Sequence, residues 1–484
     1  VTRHRKSVIV IGGGISGLAA AYSLRRQAAE AGVPLECTVL EAAPVWGGKI
    51  VTHRVGDLIM EAGPDSFLSQ KPWAVELCEQ LGLTDQLINT NPMEKKACVF
   101  SRGSLHELPE GLVTFVPHQL GPFLRSGLLS WRGLARMGLD LVIPRQRTGN
   151  DESLASFFRR RFGREAFERV MEPLMAGIYA GDAEQMSLRA TFPRFYELEQ
   201  RHGSVIRGMM AARKARLRGG DGSASGRTMF VTLRNGLADL TEALVDYLRR
   251  DGVLLKASVR VAALRVRSHQ LGRWTYDVIP DEGIAMSADA LVIAIPAYGA
   301  ADLVRPLSPA AAGLLEQIPY ASTATVSLVY ESRALTVRLE GSGFVVPRVE
   351  GRDLLAATWT SLKWPHRAGP RDVSVRCYVG GVGREAVLRQ DDDSLIQCVR
   401  EALRAITGIT ATPWYVEVNR WERAMPQYLL GHGDLVARVD AAMSRFSGLA
   451  LTGSAYRGIG IPDCIKDGTT VATSLMEYLR RPAA

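Results

Sequence analysis

Val8 to Ile11 is a short run of β-branched residues, the pattern of a strand buried on both faces. Six mostly glycine positions follow, and then Leu18, Ala21, Tyr22 and Leu24 recur at helical spacing until Ala31-Gly32. "LECTVLEA", residues 35–42, is a second strand that ends in Glu41. Residues 227–266 read again as strand, helix, strand, and 288–304 add a strand that ends at Pro296. Leu449 to Thr452 is a further strand, and a helix begins near Pro462-Asp463, with proline favoured in the first turn. Between these stretches, residues 90–220 are mostly helical in pattern. Strands dominate 297–420 ("TATVSLVYES", "GSGFVVPR", "LLAATWTS", "VSVRCYVGG"), with a helix over about 393–407. "RGGDGSASG", 218–226, reads as a flexible loop, and no repeat of fixed period is apparent.

The first unit carries chemistry. Gly12-Gly13-Gly14-Ile15-Ser16-Gly17 is a GxGxxG between a strand and a helix, with an acid a little over 20 residues on. Gly12 permits the tight turn, Gly14 lets the backbone approach a pyrophosphate, and Gly17 lets helix and strand pack closely. The helix start at Ile15 and Ser16 offers free N–H groups to the phosphates, and Glu41, next to Ala42, can accept the ribose hydroxyls. A basic head before an apolar run also fits a secretory leader, but three consecutive glycines interrupt that run.

The next stretch points to FAD rather than NAD. Gly47-Gly48 with Lys49 follows the second strand, where a doublet can fold over the dinucleotide and the cation can meet phosphate. Gly63-Pro64-Asp65-Ser66 then forms a tight loop that could run under the flavin ring. Val261 begins a strand that could pack on the adenine. Near the other end, Gly453 starts a loop kept open by Gly458 and Gly460. The helix opening at Ile461-Pro462-Asp463 would aim its positive end at the flavin N1–C2 edge. The expected architecture is α/β: a Rossmann-like FAD-binding domain of the amine-oxidase-like type, discontinuous over 1–90, 227–296 and 421–484. A mainly helical domain spans 91–226, and an inserted mixed-sheet substrate domain spans 297–420.

Composition narrows the class. The 484 residues are 46% hydrophobic and 23% charged, with a formal net charge of +9. The basic run "RKARLRGG", 213–220, has no interleaved aromatics, so a solvated edge is expected and no nucleic acid. Six cysteines without a CxxC fit a reducing cytoplasm, and eight histidines without ligand spacing suggest no metal. The apolar stretch 111–147 is broken by prolines and arginines. It reads as helices round an apolar pocket, or as a surface for peripheral membrane contact.

Three narrower motifs carry a resemblance: "GIYAGD" at 177–182 followed by "SLRATFP", "TSLKWPHR" at 360–367, and "RWERAMPQY" at 420–428 with the later "GIPDCI". With the flavin motifs they resemble the bacterial oxygen-dependent porphyrinogen oxidases of the soluble Gram-positive type. That resemblance implies FAD-dependent oxidation of coproporphyrinogen III to coproporphyrin III in haem biosynthesis, and also of protoporphyrinogen IX. Three hydrides would pass to flavin N5, with O2 as acceptor and H2O2 released. The cofactor carries the hard step, which fits the lack of a catalytic side-chain constellation. By motif position, Ile178, Phe344 and Trp364 would line an apolar slot for the ring. Lys71, and second Lys363, would meet propionates, and the Gly177 backbone would face the ring. Trp421 would stand at the flavin; an ordinary amine oxidase would flank it with aromatic walls, for which Trp421 and Tyr456 are the candidates. A porphyrin carrier that merely retains FAD is the non-enzymatic alternative. A transient contact with the next haem-pathway enzyme is implied as well.

Overall fold

Strand β1 (Lys6–Ile11) lies at the centre of a five-stranded parallel sheet. The computed structural model describes residues 5–94, 96–109, 112–113, 116–117, 126–146, 149–218, 226–268 and 274–481. Strand β2 (Leu35–Leu40) flanks β1 on one side and Ala290–Ile293 on the other. Leu254–Lys256 and Leu449–Leu451 form the two edges. Helix α1 (Ile15–Glu30) makes the crossover from β1 to β2. A parallel sheet needs cover on both faces. Val8 and Val10 pack under α1 and the helix Ile461–Arg480, while Ile9 and Ile11 pack against the helices Ala297–Val304 and His432–Met443. The α/β expectation therefore holds, with both ends of the sequence in one sheet.

A second sheet has seven strands, in the order Tyr415–Pro426, Tyr320–Glu331, Asp372–Gly380, Leu354–Trp359, Gly343–Val345, Cys98–Ser101, Ser104–Glu107. Its neighbours are antiparallel except Gly343–Val345 with Cys98–Ser101. The last two strands come from the stretch read as mostly helical. Arg102 and Gly103 both have positive φ, 54° and 81°, and close a two-residue hairpin there. Such a turn is usually signalled by Asn-Gly or Asp-Gly, so Arg-Gly gives little warning. The helix Asp392–Thr407 covers one face of this sheet with Leu395, Val399 and Leu403, four residues apart. Each of those side chains stabilises the packing by about 1.5–3 kcal/mol. Asp391 caps the helix through the Ser394 N–H at 2.8 Å, and Gly408 ends it in the left-handed region.

Helices including Leu154–Phe162, Glu172–Tyr179, Pro193–His202 and Val205–Arg218 form a third layer. Its core holds one charged knot: fully buried Arg161 bonds Glu199 at 2.5 Å and lies 3.2 Å from Asp140. Asp140 also accepts from the Ser204 hydroxyl at 2.6 Å and the Ile206 N–H at 2.9 Å. Of the run 213–220, residues through Arg218 are helical. Residues 219–225 of the predicted loop, and parts of 111–147, lie outside the described residues. No helix among the described residues is long and apolar enough to cross a membrane.

Candidate functional site

The glycine loop and the glycine doublet form one structure. Gly12 turns at φ 111°, and a β-carbon there would sit 2.6 Å from the Ala294 carbonyl oxygen. Gly17 faces the Gly12 carbonyl, so α1 can start directly against β1. Gly14 begins α1 in extended conformation with no side-chain cap, leaving the first-turn N–H groups at Ile15, Ser16 and Gly17 without helix partners. The Gly47 N–H donates to the Gly13 carbonyl at 2.9 Å, and Gly14 pairs with Gly47 as a parallel bridge. The loop's outer side at Gly14 stays open: its β-carbon would meet nothing nearer than the Gly48 Cα at 4.0 Å. The loop is open on its outer side, with an uncapped helix dipole behind it, a setting whose size and charge fit a pyrophosphate.

Glu41 sits under that loop. Its carboxylate accepts from the Gly13 N–H at 2.6 Å and the Ala43 N–H at 2.7 Å. Ala42 is exposed beside it. The Val259 N–H donates to the Glu41 carbonyl at 2.8 Å, which brings the strand beginning at Val261 alongside. Lys49 is turned away from the cradle and donates to the Ala424 carbonyl. Burial pushes its ammonium below the ordinary range.

The Ala62–Ser66 loop is held from several sides. The Ala62 carbonyl accepts from Trp421 Nε1 and Arg376 Nη2, both at 2.8 Å, and Arg376 also reaches the Gly63 carbonyl at 2.5 Å. Beyond Pro64, Asp65 accepts from Ser66 Oγ at 2.6 Å and Lys363 Nζ at 3.0 Å. Burial would raise the Asp65 carboxyl, but the charges of Lys363 and Arg376 outweigh it and hold it well below the usual range. The Thr232 hydroxyl donates to the Asp65 carbonyl at 2.9 Å and accepts from Arg367 Nη2 at 2.5 Å. Arg367 in turn pairs with buried Glu61 at 2.7 Å.

Two of the three narrow motifs meet at the far side of the site. Gln427 Nε2 donates to the Tyr179 carbonyl at 2.9 Å, joining "RWERAMPQY" to "GIYAGD". Tyr428 Oη donates to the Ser454 carbonyl at 2.7 Å and accepts from the Gly458 N–H at 2.8 Å. Gly453 donates to Asp467 at 3.2 Å. The helix from Ile461 starts at uncapped Gly460 with Pro462 in its first turn. Asp463 in that turn takes both contacts from Lys71, at 2.6 and 2.7 Å.

The residues chosen for the ring slot lie in different settings. Gly177 and Ile178 are exposed on the helix Glu172–Tyr179, and Ile178 keeps 43% of its surface. Trp364 is fully buried, with Lys363 Nζ 5.3 Å from its ring centre. Phe344 is buried against Trp359 on the helix-covered face of the seven-stranded sheet. Side chains alternate along a strand, so Thr325, Ser327 and Arg376 take the opposite face, towards Ala62. Arg376 was missed in the sequence reading. Its signal was a lone cation within the apolar alternation of "VSVRCYVGG", which requires a buried acceptor.

His366, next to Trp364, gives a pH prediction. Burial first, then the charges of Arg367 and Arg234, push its imidazole down to about 4. An unfolded histidine titrates near 6.5, so below that value the unfolded chain binds the extra proton first. Stability should therefore fall as pH drops from about 6.5 towards about 4. His366→Gln should remove about 2 kcal/mol of the stability difference between about pH 7 and about pH 5. Denaturant midpoints at the two pH values check this; an unchanged difference would show that His366 does not set the slope.

Residues 15–476 match the family described as flavin containing amine oxidoreductase. The chain belongs to the flavin-containing amine oxidoreductases. Within this family it is 37% identical over 479 residues to a coproporphyrinogen III oxidase of Bacillus subtilis, covering 98% of this chain and 99% of that one. It is 30% identical to the chloroplastic protoporphyrinogen oxidase 1 of Arabidopsis thaliana, over 98% of this chain and 89% of the relative. A crystal structure from Exiguobacterium sp. 255-15, described as a candidate protoporphyrinogen oxidase, superposes with a TM-score of 0.84 at 33% identity. It covers 98% of this chain and 99% of that one. The cofactor is FAD, and the open cradle, the uncapped helix starts and Glu41 fit its pyrophosphate and ribose.

Proposed function

We propose that this chain oxidises coproporphyrinogen III to coproporphyrin III, and protoporphyrinogen IX to protoporphyrin IX, with dioxygen as final acceptor. The reading rests on the full-length similarity to the Bacillus subtilis coproporphyrinogen III oxidase. FAD, when bound, supplies the two-electron acceptance. In this proposal Gly12–Gly17 and Gly48 would hold its pyrophosphate, Glu41 beside Ala42 its ribose, and Val261 its adenine. The Gly63–Ser66 loop, Trp421, Gly453 and the Ile461–Asp463 helix start would hold the flavin ring, with Lys49 close to the doublet. The ring of the porphyrinogen lies against Gly177 and Ile178, and Lys71 meets a propionate by exchanging the Asp463 carboxylate it now holds. The protein positions both rings and excludes water; each porphyrinogen gives up three hydrides and three protons, and three dioxygen molecules become three of hydrogen peroxide.

The proposed setting is the cytoplasm. Exposed Trp131, Leu139 and Val142 on the helix Trp131–Gly138 and the turn after it support peripheral contact with a membrane. The activity is tested by mixing the yellow protein anaerobically with coproporphyrinogen III. The flavin absorbance should bleach, and porphyrin fluorescence should accumulate once air is admitted. No bleaching and no fluorescence would overturn the oxidase in favour of a carrier that only retains FAD. Bleaching by simple amines alone would favour an ordinary amine oxidase.

A further inference from the structure

We propose that Arg348 and Arg384 form a carboxylate-binding pair beside the ring slot, which receives a propionate present in tetracarboxylate but not in dicarboxylate porphyrinogens. The inference rests on the function proposed above. Among the described residues, the half-buried Arg384 guanidinium makes no hydrogen bond or ion pair. Burial and the neighbouring Arg348 charge push it below its ordinary range. A cation left in that state is costly until an anion reaches it.

Arg348 supplies the second fork. It is fixed from behind: its N–H donates to Glu172 Oε2 at 3.1 Å, and its Nη2 donates to the Val382 carbonyl at 2.9 Å. The ion-pair contact from its Nε to Glu172 is a long 3.8 Å. Glu172 and Asp353 both act on Arg384 through space, but among the described residues neither forms a hydrogen bond or ion pair with its guanidinium, and burial raises the Glu172 carboxyl. Gly383 leaves space beside Arg348, where a β-carbon would lie 3.5 Å from Nη1. The turn that carries Arg384 is tied to the slot, because the Val382 N–H donates to the Ala180 carbonyl at 2.8 Å. Ala180 ends the helix whose exposed residues are Gly177 and Ile178. Two planar forks, one unpaired, suit bidentate recognition of a carboxylate.

The two candidate substrates differ by two propionates, so the pair acts as a selectivity device. Arg384→Gln should lower kcat/KM for coproporphyrinogen III by about ten-fold or more, mostly through KM, as expected for a lost charge-assisted bond. Turnover of protoporphyrinogen IX should stay within about two-fold. Arg384→Lys should recover part of the loss, and flavin content should not change. Equal losses on both substrates, or no loss on either, would overturn the inference. Fluorescence titration with coproporphyrin III itself, against protoporphyrin IX, gives the same comparison without turnover. Selective weakening of coproporphyrin binding supports the pair even if the wild-type protein oxidises neither compound, whereas unchanged binding refutes it even if oxidation is confirmed.

Discussion

Replacing Gly17 by alanine is expected to give a protein that no longer retains flavin. The new β-carbon would stand 2.0 Å from the Gly12 carbonyl oxygen and 3.1 Å from its carbon. Both are backbone atoms of the turn that carries the pyrophosphate cradle, so no side chain can swing aside. Either α1 moves off β1 or the turn opens, at about 1–3 kcal/mol for overpacking, and the N–H groups of Ile15 and Ser16 lose their aim. Purified Gly17→Ala should be colourless, or lose its yellow colour on gel filtration. Gly14→Ala is the control. Its β-carbon meets nothing closer than 4.0 Å, so its flavin-free form should melt close to the flavin-free parent, yet it should bind FAD less tightly because the methyl fills the open side of the loop. Stoichiometric flavin in Gly17→Ala would refute the packing account.

Arg367→Met should be the most destabilising single change near the site. Arg367 and Glu61 are 1% and 2% exposed and lie 2.7 Å apart. Removing the cation leaves a buried carboxylate without its counter-charge, at about 3–5 kcal/mol. Glu61 would keep only the Thr52 hydroxyl at 2.6 Å and the Leu237 N–H at 2.8 Å. Thr232 would lose a donor and with it part of the brace on Asp65. Adding Glu61→Gln to Arg367→Met should recover stability, since a neutral amide can still accept from Leu237 without needing a cation. Chemical denaturation of the single and double variants checks both statements. A single-variant loss below about 1 kcal/mol would mean that the pair does not brace the loop.

The geometry of the glycine loop was legible in the sequence because its parts are local. The glycine loop, α1 and Glu41 lie within one strand–helix–strand unit, and Gly47-Gly48 follows a few residues later. What braces the Ala62–Ser66 loop was not legible, because those contacts join distant positions. Arg376 reaches Gly63 across 313 residues and Trp421 reaches Ala62 across 359. The partner of Lys71, Asp463, is 392 residues away, and no local pattern announces it. Phe344 illustrates a different limit. Its strand could be recognised, but whether its side chain faced the expected ring slot or the core depended on a single-residue phase that only the covering helix Asp392–Thr407 settles. The hairpin at Arg102-Gly103 escaped because its turn lacks the usual residues.

The central parallel sheet joins residues 6–11 to 290–293 and those to 449–451. Closing such long chain loops carries an entropic cost before the pairing is gained, so strands of this kind assemble late. On the ribosome, β1, α1 and β2 emerge early, yet Leu449–Leu451 and the helix carrying Asp463 cannot join them until most of the chain has been made. The strand–helix–strand unit that carries Gly12–Gly17 can therefore form well before the helix start at Ile461 reaches it. A cofactor added during refolding should bind first through its adenylate end, and its isoalloxazine should take its final environment only in the last kinetic phase.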